Sequence, residues 1–456
     1  MNMLFYAALY AAKFARFILR VFGRNATEFP GAVALKIDPD FLRHVNKGEK
    51  VIAVTGTNGK TTVTNLITDI LKADGQRVAA NALGSNMKQG ICSAFIANSD
   101  LKGNPNFDVA VLEVDERSSR FILKDLNPDY MVVLNLSRDT IKRNANVDFI
   151  FDILNESIPK STKIILNADD PISMRLAPGN VRVYAGVADG VGEISDKPNI
   201  IRDLIYCPEC GAPLIYNHRR YHHIGRVHCN RCDFKSAAPD YLFTKEEDGR
   251  ATIATPAGTI NVHLKGNTLP DMYNQTQVVA LLSEMGWSTE KIRSIMDGVS
   301  RVRSRYYDCE IGGKKIIQRI AKGENGVSVS RILCSIRRDP SPNKAVVITL
   351  DDARTINDSE NICWLYETDF EYLKNDSVKQ IIVGGIRSED YRLRLLMAGI
   401  PAEKISITRD EKDAIKLVNL DMCDTIYHLF DPTNYAYLED LSLNYLKNRL
   451  EGERAA

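Results

Sequence analysis

VIAVTGTNGKTTVTNLITDIL, residues Val51 to Leu71, is the stretch on which the fold turns. A run of β-branched and apolar residues meets a loop bracketed by Gly56 and Gly59, and Leu66, Ile67, Ile70 and Leu71 then recur at helical spacing. It reads as strand, phosphate loop and amphipathic helix. Gly56 and Gly59 leave no side chain between backbone N–H groups and a polyphosphate, so the amides of Gly56, Thr57, Asn58, Gly59 and Lys60 are free to cradle one. Lys60 adds a mobile point charge, and the hydroxyl of Thr61 or Thr62 can meet Mg²⁺ at a helix N-terminus. The loop is shorter than the general G-x-x-x-x-G-K-[ST] pattern. A glycine turn that happens to precede a lysine is the plainer alternative, and the strand before and helix after weigh against it.

Outward from the loop, Phe107 to Glu116 (FDVAVLEVDE) is a buried-strand run ending in carboxylates, as a parallel sheet delivers them to its carboxyl edge. Glu113 or Asp115 would hold Mg²⁺ across from Thr61, unless this is only a solvated strand end. A second such strand, Tyr130 to Leu136, runs into Ser137, Arg138 and Asp139. A third, Lys163 to Leu166, ends in Asn167, Asp169 and Asp170. The glycine- and serine-bearing loop NALGSNMKQGICSAF, from Asn81, leads into a helix and is a second candidate contact to phosphate or substrate. Strands alternating with helices predict an α/β fold with a doubly wound, mainly parallel sheet. From Lys315 a fresh α/β pattern starts, with strands at Lys344 to Leu350, Gln380 to Gly384 and Thr425 to Phe430.

Between the two patterns stand Cys207, Cys210, Cys229 and Cys232, two C-x-x-C knuckles in the C-x₂-C-x₁₅₋₂₀-C-x₂-C arrangement. Four thiolates aimed at one point complete a tetrahedron with no open position, so the expected metal is structural Zn²⁺, with an iron–sulfur or redox site as the alternative. His218, His222, His223 and His228 lie inside this ribbon and read as surface residues. Cys92, Cys309, Cys334, Cys363 and Cys423 read as small buried hydrophobes.

The 456 residues suit two or three domains, and the net charge of +1 gives no broad footprint for nucleic acid. We expect a helix and connector over 1–49, with Pro30 and Gly31 as breakers, and a central ATP-binding domain over 50–305. The ribbon is inserted in that domain at about 205–240, and a C-terminal α/β domain covers 306–456. Cysteine usage points to a reducing, cytoplasmic setting. Met1 to Phe22 is interrupted by Lys13, Arg16 and Arg20, too polar to span a bilayer. It reads as a helix packed on the domain with its basic stripe solvated; the alternative is contact with an anionic membrane at its inner face.

The compact TGTNGKTT loop resembles that of the Mur ligase superfamily. Together with ARFILRVFG, FPGAVALKIDPD, VLEVDE, LNADDP, the inserted cysteine ribbon and GGIRSEDYRLRLLMAGI, it is similar to the MurT family in particular. The resemblance covers nearly the whole chain. It implies ATP-dependent phosphorylation of the D-glutamate α-carboxylate of the lipid II stem peptide, then displacement by ammonia from a separate GatD-like class I glutaminase to give D-isoglutamine. It also implies a nucleotide contact from Asn274, near the start of a helix at Asp271 to Trp287. An arginine of SRVRSRYYD, Arg303, would reach nucleotide phosphates, a simple basic linker being equally open. A C-terminal aspartate, matched here by Asp358, would orient the glutaminase histidine. Ser359, Asn361 and Cys363 depart from the family's D-G-x-D-x-S-W, and AKGENGVSVSRIL, SRDTIKRNANVD and FDPTNYAYL depart elsewhere. Two further readings therefore stand beside the amidotransferase: a stand-alone amide ligase with a different carboxylate acceptor, and an inactive ATP-binding scaffold.

Overall fold

The computed structural model describes residues 3–81, 85–138, 146–192, 199–266, 268–299, 306–321, 325–350, 362–431 and 434–452. The chain forms two compact units, one of Met1–Ser137, Asn146–Ile194 and Leu204–Val302, the other of Arg138–Ala145, Ser195–Asp203 and Arg303–Ala456.

The first unit opens with helices α1 (Met3–Val21), α2 (Phe29–Ile37) and α3 (Phe41–His44). Strand β1 (Lys50–Thr55) and helix α4 (Lys60–Ala73) carry the phosphate loop between them. There follow β2 (Val78–Ala80), α5 (Lys88–Ala97), β3 (Val109–Glu113), α6 (Ser119–Leu126), β4 (Tyr130–Val133), β5 (Lys163–Asn167) and β6 (Arg182–Val187). The ribbon strands β7 (Leu214–Tyr221) and β8 (Ile224–Cys229) make a sheet of their own. β9 (Tyr241–Glu247), β10 (Arg250–Thr255) and β11 (Gly258–His263) return to the main sheet. That sheet has nine strands in the order β11-β10-β9-β6-β5-β4-β1-β3-β2. Strands β1 to β6 and β9 pair in parallel and β10 and β11 add antiparallel strands, so the sheet is doubly wound and mainly parallel. β1 lies between β3 and β4, with Val54 level with Glu113 and with Val132. The strand order reverses there, which opens a crevice at the carboxyl ends of these three strands. All but the first residue of β1 and all of β3 are buried, as covering both faces of a parallel sheet requires.

The second unit carries a six-stranded sheet, β12-β13-β17-β14-β15-β16, of β12 (Tyr306–Ile311), β13 (Lys314–Ile320), β14 (Lys344–Thr349), β15 (Val378–Gly384), β16 (Ile405–Thr408) and β17 (Thr425–Phe430). All neighbours are parallel except β12 and β13.

Three local readings need correction. The stretch from Asn25 to Glu49 is helical in part: Pro30 sits in the first turn of α2, where its missing N–H costs nothing, and so starts the helix instead of breaking it. Gly31 is there for contact: a Cβ on it would lie 1.8 Å from the Gln89 carbonyl oxygen of α5, and its N–H bonds to Ser93 Oγ (2.8 Å). In α1 only Phe5, Ala8, Leu9 and Ala12 face the core, while Lys13 turns in to donate to the carbonyls of Ile96 (3.0 Å), in the last turn of α5, and Ser99 (2.6 Å), just beyond it. Cys92, Cys334 and Cys423 are buried and Cys309 half-buried, but Cys363 is exposed. Among the described residues no helix is long and apolar enough to cross a membrane.

Candidate functional site

The loop between β1 and α4 takes its shape from two left-handed glycines, Gly56 (φ 133°) and Gly59 (φ 92°). A side chain at either would be strained and crowded. A Cβ on Gly56 would lie 3.0 Å from the backbone N and O of Asn135, and one on Gly59 would lie 3.2 Å from Asn274 Oδ1. The loop is clamped from the segment that follows β4. Thr57 N–H donates to the Asn135 carbonyl (2.8 Å) and Asn58 N–H to Asn135 Oδ1 (3.1 Å), while Asn135 Nδ2 returns a bond to the Asn58 carbonyl (3.0 Å). Thr57 Oγ1 also donates to the Ser137 carbonyl and accepts from Ser137 N–H, both at 2.9 Å. These bonds fix the loop but take up the amides of Thr57 and Asn58, contrary to their reading as free for phosphate, so an anion would be received by the N–H groups at the start of α4, with little reorganisation.

The carboxyl edge of β3 closes the site. Thr61 Oγ1 donates to Glu113 Oε2 (2.8 Å), and Asn86 Nδ2 to Glu113 Oε1 (2.9 Å). Asn81 clips the backbone of Glu113 on both sides, donating to its carbonyl and accepting from its N–H, each at 2.8 Å. Lys60 Nζ reaches the Gly56 carbonyl (2.7 Å) and Glu116 Oε1 (2.9 Å). Burial works against the Lys60 ammonium, yet Glu116, helped by Glu113 and Asp115, more than offsets this and holds its pKa above the ordinary lysine value. Glu113, Asp115 and Glu116 are all buried beside this one lysine. Hard oxygen donors with surplus negative charge are a donor set suited to Mg²⁺, and Thr61 and Glu113 are already in contact where it would sit. Asn274 is buried on the helix Leu269–Glu284, against Gly59. Arg303 and Asp358 lie outside the described residues.

The four cysteines converge as their spacing requires. Their sulfurs lie within 4.8 Å of one another, with Cys207–Cys232 at 3.5 Å and Cys210–Cys229 at 3.6 Å. A tetrahedral zinc with bonds of about 2.3 Å needs sulfurs about 3.8 Å apart, so the group fits. The histidines of the ribbon do not behave alike. His222 and His223 are buried, contrary to their reading as surface residues, because the turn between β7 and β8 plugs into the main sheet. His223 Nε2 lies 3.3 Å from Asp170 Oδ1, and Arg226 pairs with Asp169 (3.1 Å). The buried Arg220 guanidinium donates to the carbonyls of Val187, Ala188 and Val191. The two aspartates are joined to the phosphate loop. Asp170 Oδ2 accepts from Leu136 N–H (2.8 Å), next to the Asn135 clamp, and Asp169 Oδ2 accepts from the hydroxyl of Tyr273 (2.7 Å), the neighbour of Asn274. Burial pushes the Asp170 carboxyl up, but His223 and the Leu136 N–H outweigh it and hold it below the usual carboxylate range.

Sequence reasoning missed Asn135, Asn81, Asn86, Glu116 and Tyr273, whose partners lie far away in the chain. NALGSN had marked Asn81 and Asn86 as part of a candidate contact loop, and FDVAVLEVDE had carried Glu116 as a terminal carboxylate with no role assigned.

A glycine-bracketed phosphate loop opposite a carboxylate strand, in a doubly wound sheet followed by a second α/β unit, defines a Mur-type ATP-dependent ligase. The sequence matches the Mur ligase middle domain family over residues 54–187 and the MurT ligase C-terminal family over 323–435. The chain belongs to the MurT family. It is 31% identical over 413 residues to the lipid II isoglutaminyl synthase (glutamine-hydrolyzing) subunit MurT of Staphylococcus aureus, covering 89% of this chain and 90% of that one. Its identity to the protein of the same name from Streptococcus pneumoniae is 29%, over 94% and 95% of the two chains. Among solved structures, the fold is shared with a pseudomurein peptide ligase type C from Methanothermus fervidus: TM-score 0.69, 21% identity, 89% of this chain and 81% of that one.

Proposed function

We propose that this chain is the synthetase subunit of a lipid II isoglutaminyl synthase on the cytoplasmic side of the membrane. A carboxylate oxygen, that of the stem-peptide D-glutamate, attacks the γ-phosphorus of ATP and releases ADP. Ammonia then attacks the acyl carbon, and phosphate leaves with the bridging oxygen. The observation that carries this reading is the Lys60, Thr61 and Glu113 constellation, intact in a chain related to MurT subunits along most of its length.

The residues have distinct tasks. The amides of Gly59 to Thr62, at the start of α4, would bind the phosphates, and Lys60 would exchange Glu116 for a phosphate oxygen, neutralising charge that develops on the transferred group. Thr61 and Glu113 would hold Mg²⁺, which supplies further charge neutralisation when bound. Asn274 and Arg303 are the proposed contacts to the rest of the nucleotide. Cys207, Cys210, Cys229 and Cys232 would hold a structural Zn²⁺.

A GatD-like class I glutaminase is the proposed ammonia source, with Asp358 orienting its catalytic histidine. The departures at Ser359, Asn361 and Cys363 favour a second reading, a stand-alone ligase that takes its amine directly. The two separate in one assay, with the glutaminase co-expressed and either glutamine or ammonium supplied. We expect Asp358→Asn to lower glutamine-driven amidation by roughly 10³–10⁴-fold, the scale of losing the third member of a triad, and to leave ammonium-driven turnover intact. Turnover that ammonium or an amino acid sustains, with no gain from the glutaminase, would support the stand-alone ligase. If both modes persist undiminished in the variant, Asp358 has no part in the partner's triad.

A further inference from the structure

Helix α1 presents two surfaces that packing in its own unit does not use. Tyr10, Phe14, Phe17, Ile18 and Val21 recur at helical spacing and form an exposed ridge that Phe22 continues; Phe14, Phe17 and Phe22 are 66%, 62% and 73% exposed. Beside the ridge lies a cavity of about 300 Å³ lined by Arg16, Arg20, Arg24, Thr27, Asn81 and Ser85, with no acidic side chain among the described residues of its wall. Arg16 is partly engaged, reaching the Ala97 carbonyl at the end of α5 (3.5 Å). Among the described residues no carboxylate pairs with Arg20 or Arg24, and α1 itself contains no acidic residue. Asn81 is shared, forming part of this wall while it clips Glu113 at the nucleotide site.

Aromatic and aliphatic side chains in a ridge, flanked by cations with nothing to neutralise them, match the boundary layer of an anionic bilayer: the apolar groups enter beneath the headgroups and the arginines meet phosphate. We propose that α1 docks this protein on an anionic lipid surface, its aromatic ridge inserted among the lipids and a lipid phosphate seated in the Arg16, Arg20 and Arg24 cavity. The charge complementarity selects this occupant over a neutral apolar partner, which would leave the arginines unanswered. The docking deepens the function proposed above, on which it rests only for the lipid-linked nature of the acceptor. It would bring the acceptor's membrane to the wall that adjoins Glu113.

Flotation of the full chain with vesicles tests it. With equal parts phosphatidylglycerol and phosphatidylcholine at low salt the protein should float with the lipid, and with phosphatidylcholine alone it should stay behind. High salt should weaken binding by screening. Phe14→Ser/Phe17→Ser and Arg20→Glu/Arg24→Glu should each reduce binding roughly tenfold while melting temperature and nucleotide affinity hold. Failure to float with anionic vesicles at low salt, or undiminished binding in both variants, overturns the proposal. Self-association that Phe14→Ser/Phe17→Ser abolishes, without vesicle binding, would give the ridge to a second copy and overturn it too. Ligase activity on a water-soluble muropeptide acceptor is independent of docking, so failure of the one is distinguishable from failure of the other.

Discussion

Lys60→Ala should lower acceptor-dependent ATP turnover by about 10²–10³-fold, the scale found when one preorganised donor to a developing oxyanion is removed. It should also destabilise the fold, because Glu116 is buried and its 2.9 Å partner disappears. Removing one member of a buried pair costs about 3–5 kcal/mol, since the remaining charge has no counterion. The two effects separate in a second variant. In Lys60→Ala/Glu116→Gln the orphaned charge is gone, so most of the melting temperature should return while turnover stays low. Thermal melts and ADP release on the three proteins decide it. Turnover close to wild type in the single variant would mean that Lys60 serves the fold alone.

Metal removal is expected to act at a distance. The ribbon reaches the nucleotide site through His223 to Asp170 to Leu136, and through Arg226 to Asp169 to Tyr273. Without a metal the two knuckles lose what joins them, and a structural zinc site contributes directly to folding free energy. Chelation, or Cys210→Ser/Cys232→Ser, should lower the melting temperature and weaken nucleotide binding roughly tenfold, about 1.4 kcal/mol. Amide exchange should rise both at the ribbon turn, Tyr221 to Gly225, and at the Asn135 clamp. Metal analysis of the untreated protein should return one zinc per chain. Iron in its place, or a stripped protein with unchanged melting temperature and nucleotide affinity, would separate the ribbon from the site.

What could be read from the sequence was whatever is encoded locally. Gly56, Gly59 and Lys60 announce a phosphate loop because its chemistry lies in backbone amides and one cation within a few residues. The cysteines announce a metal because each C-x-x-C is a knuckle whatever surrounds it. Buried runs such as Val109–Glu113 and Lys163–Asn167 mark a parallel sheet by composition alone. Contacts made across the chain escape that reading. Asn135 lies 77 residues from Asn58, and Glu116 56 residues from Lys60, and neither occupies a position of any local period. His222 and His223 looked like surface residues because a ribbon this small has no interior; they are buried in the core of the larger sheet. Pro30 and Gly31 misled for a related reason. Proline in a first turn starts a helix, and Gly31 answers to the approach of α5, which no neighbouring residue reveals.

ATP bound at the loop between β1 and α4 is proposed to activate a carboxylate. The most direct test uses an acceptor whose carboxylate carries ¹⁸O, incubated with ATP, Mg²⁺ and ammonium, with the released phosphate read by ³¹P NMR. An acyl phosphate requires the bridging oxygen to leave with phosphorus, so labelled phosphate should accumulate in step with amide product. Amide formed alongside wholly unlabelled phosphate would contradict the account.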